Sequence, residues 1–133
     1  VRPPLLAISI PLPPVAKGRP RFFTGPHGRV YTPAGTERAE AAIRRFLRFS
    51  RPNLRPTAAL VEARLAYYLG PRSGRTELDN LVKLTLDALA GVVYKHDGQV
   101  RQVSARMYRH AEHDSEPRTE VEIVALERWN GRD

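Results

Sequence analysis

Apolar residues recur along this chain at two different spacings, which separates expected strands from expected helices. Residues 5–10, Leu-Leu-Ala-Ile-Ser-Ile, form a short, partly β-branched run stopped by Pro11, Pro13 and Pro14, and predict a strand entering an extended loop. Arg21-Phe22-Phe23 and Arg29-Val30-Tyr31 flank Gly25-Pro26-His27-Gly28, which predicts a hairpin with a four-residue turn. Ala39, Ala42, Ile43, Phe46 and Leu47 recur at i, i+3, i+4, i+7 and i+8, the stripe of an amphipathic helix. Thr36 is its expected N-cap, Glu37 and Glu40 complement the positive end of its dipole, and Pro52 and Pro56 end it. Ala59, Val61, Ala63, Leu65 and Tyr67 then alternate with Leu60, Glu62, Arg64, Ala66 and Tyr68, a period of two that predicts a long strand. After a loop of Gly, Pro and Arg over 70–75, Leu78, Leu81, Val82, Thr85, Ala88 and Leu89 predict a second helix ending at Gly91. Lys95-His96-Asp97-Gly98 reads as a turn, and residues 99–109 and 118–126 as two strands expected to pair through the polar loop 110–117. The order β, hairpin, α, β, α, β, β predicts one α+β domain, a mixed β-sheet with two main helices, over 1–128, with a disordered tail at 129–133.

Length agrees, because 133 residues match one domain at the usual rough 100–200 residues each. No apolar run approaches the roughly 18 residues that span a bilayer, so no membrane association is expected. Residues 5–10 are too short for a signal peptide and are closed by Pro11. The absence of cysteine excludes disulfides, thiolate zinc sites and a cysteine nucleophile, and leaves the compartment open. Charge says more: 22 Lys and Arg against 14 Asp and Glu give +8, and 19 of the cations are Arg, which favours bidentate contacts to phosphate. Residues 1–76 carry 14 cations and 3 acids, whereas 77–133 carry 8 cations and 11 acids. A basic half and an acid-rich half suggest a polyanion partner and a metal site, since carboxylates facing phosphate need a cation between them. An arginine-rich solvated surface accounts for the charge equally well.

The densest polar constellation is Thr76-Glu77-Leu78-Asp79-Asn80-Leu81-Val82-Lys83, with Asp97 18 residues beyond Asp79. If Glu77 is still extended where the loop meets the helix, Glu77 and Asp79 point to one side; within a helix they would diverge by about 200°. Asp79 and Lys83, at i and i+4, share a helix face. Hard divalent cations such as Mg²⁺ are held by one or two carboxylates with waters and phosphate oxygens, so three acids could hold one metal or bridge two. Lys83 could stabilise developing negative charge or the leaving oxygen. The same residues also suit plain helix chemistry, with acids favoured in a first turn, Thr76 and Asp79 forming a capping box, Lys83 and Asp87 an ion pair, and Asp97 an ordinary turn residue.

Leu78-Asp79-Asn80-Leu81-Val82-Lys83, then Leu86-Asp87-Ala88-Leu89-Ala90-Gly91-Val92, then Asp97-Gly98-Gln99-Val100, resembles the signature of the RusA family of Holliday junction resolvases. Pro11-Leu12-Pro13-Pro14 and Lys17-Gly18-Arg19-Pro20-Arg21 resemble that family's opening, so the likeness covers most of residues 7 to 108. It implies that Glu77, Asp79 and Asp97 are Mg²⁺-binding catalytic carboxylates, with Mn²⁺ as a substitute, and that Lys83 is the essential lysine. Two departures stand out: Glu77 replaces an Asp, and His96-Asp97 replaces an Asp-Asp pair. The resemblance further implies a homodimer, without organic cofactor, that grips a four-way DNA junction and nicks two strands symmetrically in recombination and repair, in the cytoplasm. Candidate phosphate contacts are Lys17, Arg19, Arg21, Arg29, Arg72 and Arg75, and Phe22 or Phe23 either stacks on opened bases or packs in the core. His27, His110 and His113 read as surface residues. The rival expectations are a basic DNA-binding protein with a weakened site, and a flap or duplex nuclease without junction preference.

Overall fold

A computed structural model describes residues 3–18, 21–22, 30–31 and 34–126. In chain order the elements are β1 (Leu6–Ile10), β2 (Arg21–Phe22), β3 (Val30–Tyr31), α1 (Ala34–Ser50), β4 (Val61–Tyr68), α2 (Leu78–Leu89), β5 (Val100–Tyr108) and β6 (Arg118–Ala125), with short 3₁₀ turns at Asp97–Gln99 and His110–Glu112. The α+β class and the two main helices are as expected. Strands β2 and β3 pair antiparallel, Arg21 opposite Tyr31 and Phe22 opposite Val30, so the hairpin forms; its expected four-residue turn lies outside the described residues, as does the tail 129–133.

The main sheet has the order β1-β6-β4-β5, with β6 antiparallel to both β1 and β4 and β5 parallel to β4. The expected pairing of 99–109 with 118–126 is therefore corrected: these strands flank β4 on opposite sides. Sequence neighbours usually pair, but the loop after β5 is fixed across the end of β4, which lets the chain step over one strand. Leu69 N–H donates to the Tyr108 carbonyl at 2.9 Å, a His113 ring nitrogen lies 2.8 Å from the Leu69 carbonyl, and Pro117 packs so closely on Gly70 that a Cβ there would sit 3.2 Å from its ring. A parallel pair needs a crossover of a dozen residues or more, and α2 supplies it between β4 and β5.

Period-two alternation on β4 places Val61, Ala63, Leu65 and Tyr67 in the core, joined there by Leu6, Ile10, Val121 and Ile123 from its neighbours. Helices α1 and α2 close that face with Ile43, Leu47, Leu81, Leu84, Ala88 and Leu89. The opposite face carries Arg64 bridged to Glu62 (3.2 Å) and Glu122 (2.7 Å), and Arg118 paired with Glu120 at 3.0 Å. Arg118 also lies over the Tyr68 ring, which stacks on Tyr108, and Arg106 lies over Tyr108.

Helix α1 starts two residues before the expected cap. Thr36 is buried inside its first turn and accepts the Gly18 N–H at 2.8 Å, so its hydroxyl ties down the N-terminal segment instead of capping its own helix. Helix α2 ends as expected, with Gly91 at φ +87°, where a side chain would be strained.

Tyr67 joins strand to helix: its hydroxyl is 2.8 Å from Thr85 Oγ1 and 3.1 Å from the Leu81 carbonyl. Burial pushes the Tyr67 hydroxyl well above the ordinary tyrosine range, against a smaller opposing effect of the Thr85 bond, so it stays a donor. Thr85 keeps its own bond to the Leu81 carbonyl at 3.0 Å. Tyr67→Phe therefore strands no partner, and denaturant unfolding should show a loss of about 0.5–1.5 kcal/mol; a loss of several kcal/mol would mean that the hydroxyl organises more of the core than this junction.

Candidate active site

The loop from β4 to α2 is shaped by short-range bonds. Ser73 Oγ donates to the Gly70 carbonyl at 2.8 Å, the Thr76 hydroxyl donates to the Ser73 carbonyl, and Gly74 takes φ +62°. Thr76 is thereby committed to its own loop, and the expected capping box with Asp79 does not form. Glu77 occupies the N-cap position with extended backbone, φ −106° and ψ 144°, and its carboxylate caps nothing. Asp79 Oδ1 accepts the Asn80 N–H at 2.9 Å. The extended-to-helical junction required for Glu77 and Asp79 to share a side is present, and both residues are exposed.

One turn further along, Lys83 Nζ lies 3.3 Å from Asp87 Oδ1. The pair belongs to a larger cluster, because Asp87 also receives the Lys17 ammonium, which lies 3.6 Å from Glu40 on α1. Asp87 first, and Glu40 after it, hold the Lys17 ammonium above its ordinary 10.5, although partial burial opposes them. With a raised folded-state pKa, the stabilisation is fully present at neutral pH and is lost as pH rises through that value. Lys17 N–H donates to the Asn80 carbonyl at 2.9 Å, so backbone and side chain both fasten the N-terminal segment to α2. From α1, Arg44 donates to the carbonyls of Asp87 (2.9 Å) and Ala88 (3.1 Å), placing a cation at the negative end of a helix whose last turn holds none.

Asp97 is positioned by Gln99. Its side-chain oxygen accepts the His96 N–H at 2.8 Å, and its amide nitrogen donates to the Thr57 and Ala59 carbonyls at 2.8 and 2.9 Å, so the turn is clamped to the segment entering β4. Tyr94, which donates to the Leu86 carbonyl at 2.6 Å, has its hydroxyl pushed up by burial first and then by the charges of Asp87 and Asp97. Asp97 is exposed.

The sequence-predicted site residues therefore fall into two groups. Glu77 and Asp79 stand where the chain leaves β4, whereas Asp97 stands where it enters β5, and α2, about 18 Å long at 1.5 Å per residue, runs between the two ends of the sheet. Lys83 lies between them. Among the described residues no group of three or more His, Asp or Glu could hold a metal ion. The donor chemistry of Glu77 and Asp79 nevertheless fits a hard divalent cation, because Mg²⁺ is commonly held by one or two carboxylates while water and substrate phosphates complete its shell.

Of the candidate phosphate contacts, Arg72 and Arg75 are exposed and form no ion pair among the described residues. Lys17 has its charge taken up by Asp87 and Glu40. Arg19, Arg29, Phe23 and His27 lie outside the described residues, and Arg21 and Phe22 are placed only as backbone in β2. His110 is exposed and His113 half-buried against Tyr68. Sequence reasoning missed Gln99 as a clamp and Asp87 as the centre of a cluster, although Gln99 stands inside the Asp-Gly-Gln-Val segment and Asp87 at i+4 from Lys83.

The family model described as Endodeoxyribonuclease RusA matches residues 11–124. No curated protein matches the chain. The match contains both acid groups, Lys83, Asp87 and Gln99.

Removing the clamp gives a direct check on the Asp97 turn. Gln99→Ala takes this partner from the His96 N–H and the Ala59 carbonyl, while the Thr57 carbonyl keeps the Lys95 N–H, and should lower stability by about 1–3 kcal/mol. Hydrogen exchange at the His96 amide should accelerate relative to the β4 amides; unchanged exchange would show that something else orders the turn.

Proposed function

Because the chain belongs to the endodeoxyribonuclease RusA family, matched over residues 11–124, we propose that it is a metal-dependent endonuclease that resolves four-way DNA junctions by paired symmetric nicks, in recombination and repair. The observation that carries this reading is the junction at Glu77, where an extended N-cap opens the helix that bears Lys83 and both Glu77 and Asp79 are exposed at its head. They are exposed on a chain of net charge +8, as are Arg72 and Arg75, which form no ion pair among the described residues.

Glu77 and Asp79 would hold a hard cation, Mg²⁺ or in its place Mn²⁺, and the resemblance adds Asp97 as the third catalytic acid. Such a cation, when bound, supplies Lewis acidity toward a phosphodiester and its attacking water. The chain's own groups do the rest. Arg72 and Arg75 attract and register the phosphate backbone, and Lys83 offers a cation for negative charge developing along the helix face. A twofold branched substrate requires two cuts related by twofold symmetry, which an isologous homodimer of this single-site domain supplies. Among the described residues no helix is long and apolar enough to cross a membrane.

A second reading, a basic DNA-binding protein with a weakened site, draws on the separation of Asp97 from Glu77 and Asp79 and on the lack of a three-acid group. Cleavage of an immobile-core four-way junction, compared with matched linear duplex in Mg²⁺ and in EDTA, distinguishes the readings. Symmetric, metal-dependent nicks confined to the junction are expected, and Asp79→Asn should lose at least about a hundredfold in rate while junction binding stays within about threefold. Cutting by Asp79→Asn at the wild-type rate would refute the site; equal cutting of linear duplex would leave the chemistry and remove the junction preference; binding without nicking in Mg²⁺ or Mn²⁺ would favour the weakened site. Lys83→Ala should cut slowly with metal still bound.

Salt dependence tests the cation assignments separately. Arg72→Ala and Arg75→Ala should each reduce the slope of log affinity against log salt by about one, whereas Lys17→Met should leave it unchanged because that charge is already paired. A reduced slope for Lys17→Met would put Lys17 on the DNA.

A further inference from the structure

The cluster at the far side of Lys83 has no role in the reading above. Asp87 is 18% exposed and accepts two lysines of different standing. Lys17 is 23% exposed, fixed through its backbone to Asn80 and charge-paired with Glu40 as well. Lys83 is 57% exposed and sits at 3.3 Å from Asp87. Glu40 Oε2 is buried without a hydrogen-bond partner, so the cluster depends on its lysines for compensation.

We propose that Asp87 is a positioning residue that docks Lys83 on the Asp79 side of α2, with Lys17 as its permanent counter-ion, so that Lys83 can leave for a DNA phosphate without stranding a half-buried carboxylate. The inference rests on the nuclease reading and deepens it. If Lys83 were the sole partner of Asp87, its departure would leave an uncompensated acid in a poorly hydrated place, a state costly enough to hold the lysine back. With Lys17 in place, Asp87 keeps a bound ammonium after Lys83 leaves, shared with Glu40, so the carboxylate is never left without a cationic partner. The i, i+4 spacings of Asp79, Lys83 and Asp87 put all three on one face, so docking at Asp87 also keeps the ammonium from collapsing onto Asp79, the acid needed for the cation.

The test is single-turnover and steady-state cleavage of the four-way junction by wild type, Asp87→Asn, Asp87→Glu, Lys83→Ala and the Asp87→Asn/Lys83→Ala double variant, with thermal unfolding of each. Asp87→Asn should lower kcat about tenfold with KM nearly unchanged, and Asp87→Glu should recover part of that loss. The double variant should be no slower than Lys83→Ala alone, because Asp87 acts through Lys83. Full kcat in Asp87→Asn, or a double-variant loss equal to the product of the single losses, overturns the proposal while leaving the nuclease reading intact. Should Asp87→Asn fail to fold, Asp87→Glu decides: it keeps both charges, and a several-fold fall in kcat at unchanged melting temperature supports docking, whereas wild-type kcat overturns it. If the wild-type protein cuts no junction in Mg²⁺ or Mn²⁺, the parent reading fails first and the proposal with it.

Discussion

The parallel pairing of β4 with β5 is the constraint from which the remaining arrangement follows. Two parallel neighbours cannot be joined by a tight turn, so the chain must travel back along the sheet, and α2 is that return path. Its two connections then emerge at opposite ends of the sheet. The first holds Glu77 and Asp79 and the second holds Asp97, with Lys83 and Asp87 on the helix between them. A family signature that looks compact in sequence is thus stretched along a whole helix in space.

What keeps that helix in place is partly apolar and partly ionic. Leu81, Leu84, Ala88 and Leu89 bury its inner stripe, and Tyr67 ties it to β4. On its flank, Lys17 and Arg44 attach two other parts of the chain to it, one through a carboxylate and a backbone carbonyl, the other through the carbonyls of its last turn. The N-terminal segment consequently reaches α2 at Asn80, inside the signature, so the Pro-rich opening and the acidic motif belong to one assembly.

The elements were legible where periodicity was strong. The stripe of α2, its end at Gly91, and the alternation of β4 follow from residue spacing alone, and the extended conformation needed at Glu77 could be stated as a condition. Pairing was less legible, because alternation in 99–109 and 118–126 reports two strands without saying which neighbour each will have; the choice is made by contacts such as His113 with the Leu69 carbonyl and Pro117 with Gly70, both remote in sequence. Capping failed for a similar reason. Thr36 and Thr76 are good caps by type, but each hydroxyl found another partner, the Gly18 amide and the Ser73 carbonyl. For Asp87, sequence spacing shows only the i, i+4 pair with Lys83, because its second lysine, Lys17, lies 70 residues away.

The outer face of the sheet matters for how the molecule meets its surroundings. Glu62, Glu120 and Glu122 balance Arg64, Arg106 and Arg118 there, so a face that covers a large part of the protein contributes nothing to the net charge of +8. Away from that face the described residues carry 13 cations against 9 acids, so among them the excess lies on the other surfaces and the described body has an electrical front and back. Approaching a polyanion, such a body experiences a torque as well as an attraction, and it turns its charged side forward before any contact is made. Much of the orientational search is then completed during diffusion, with the balanced sheet face trailing toward solvent.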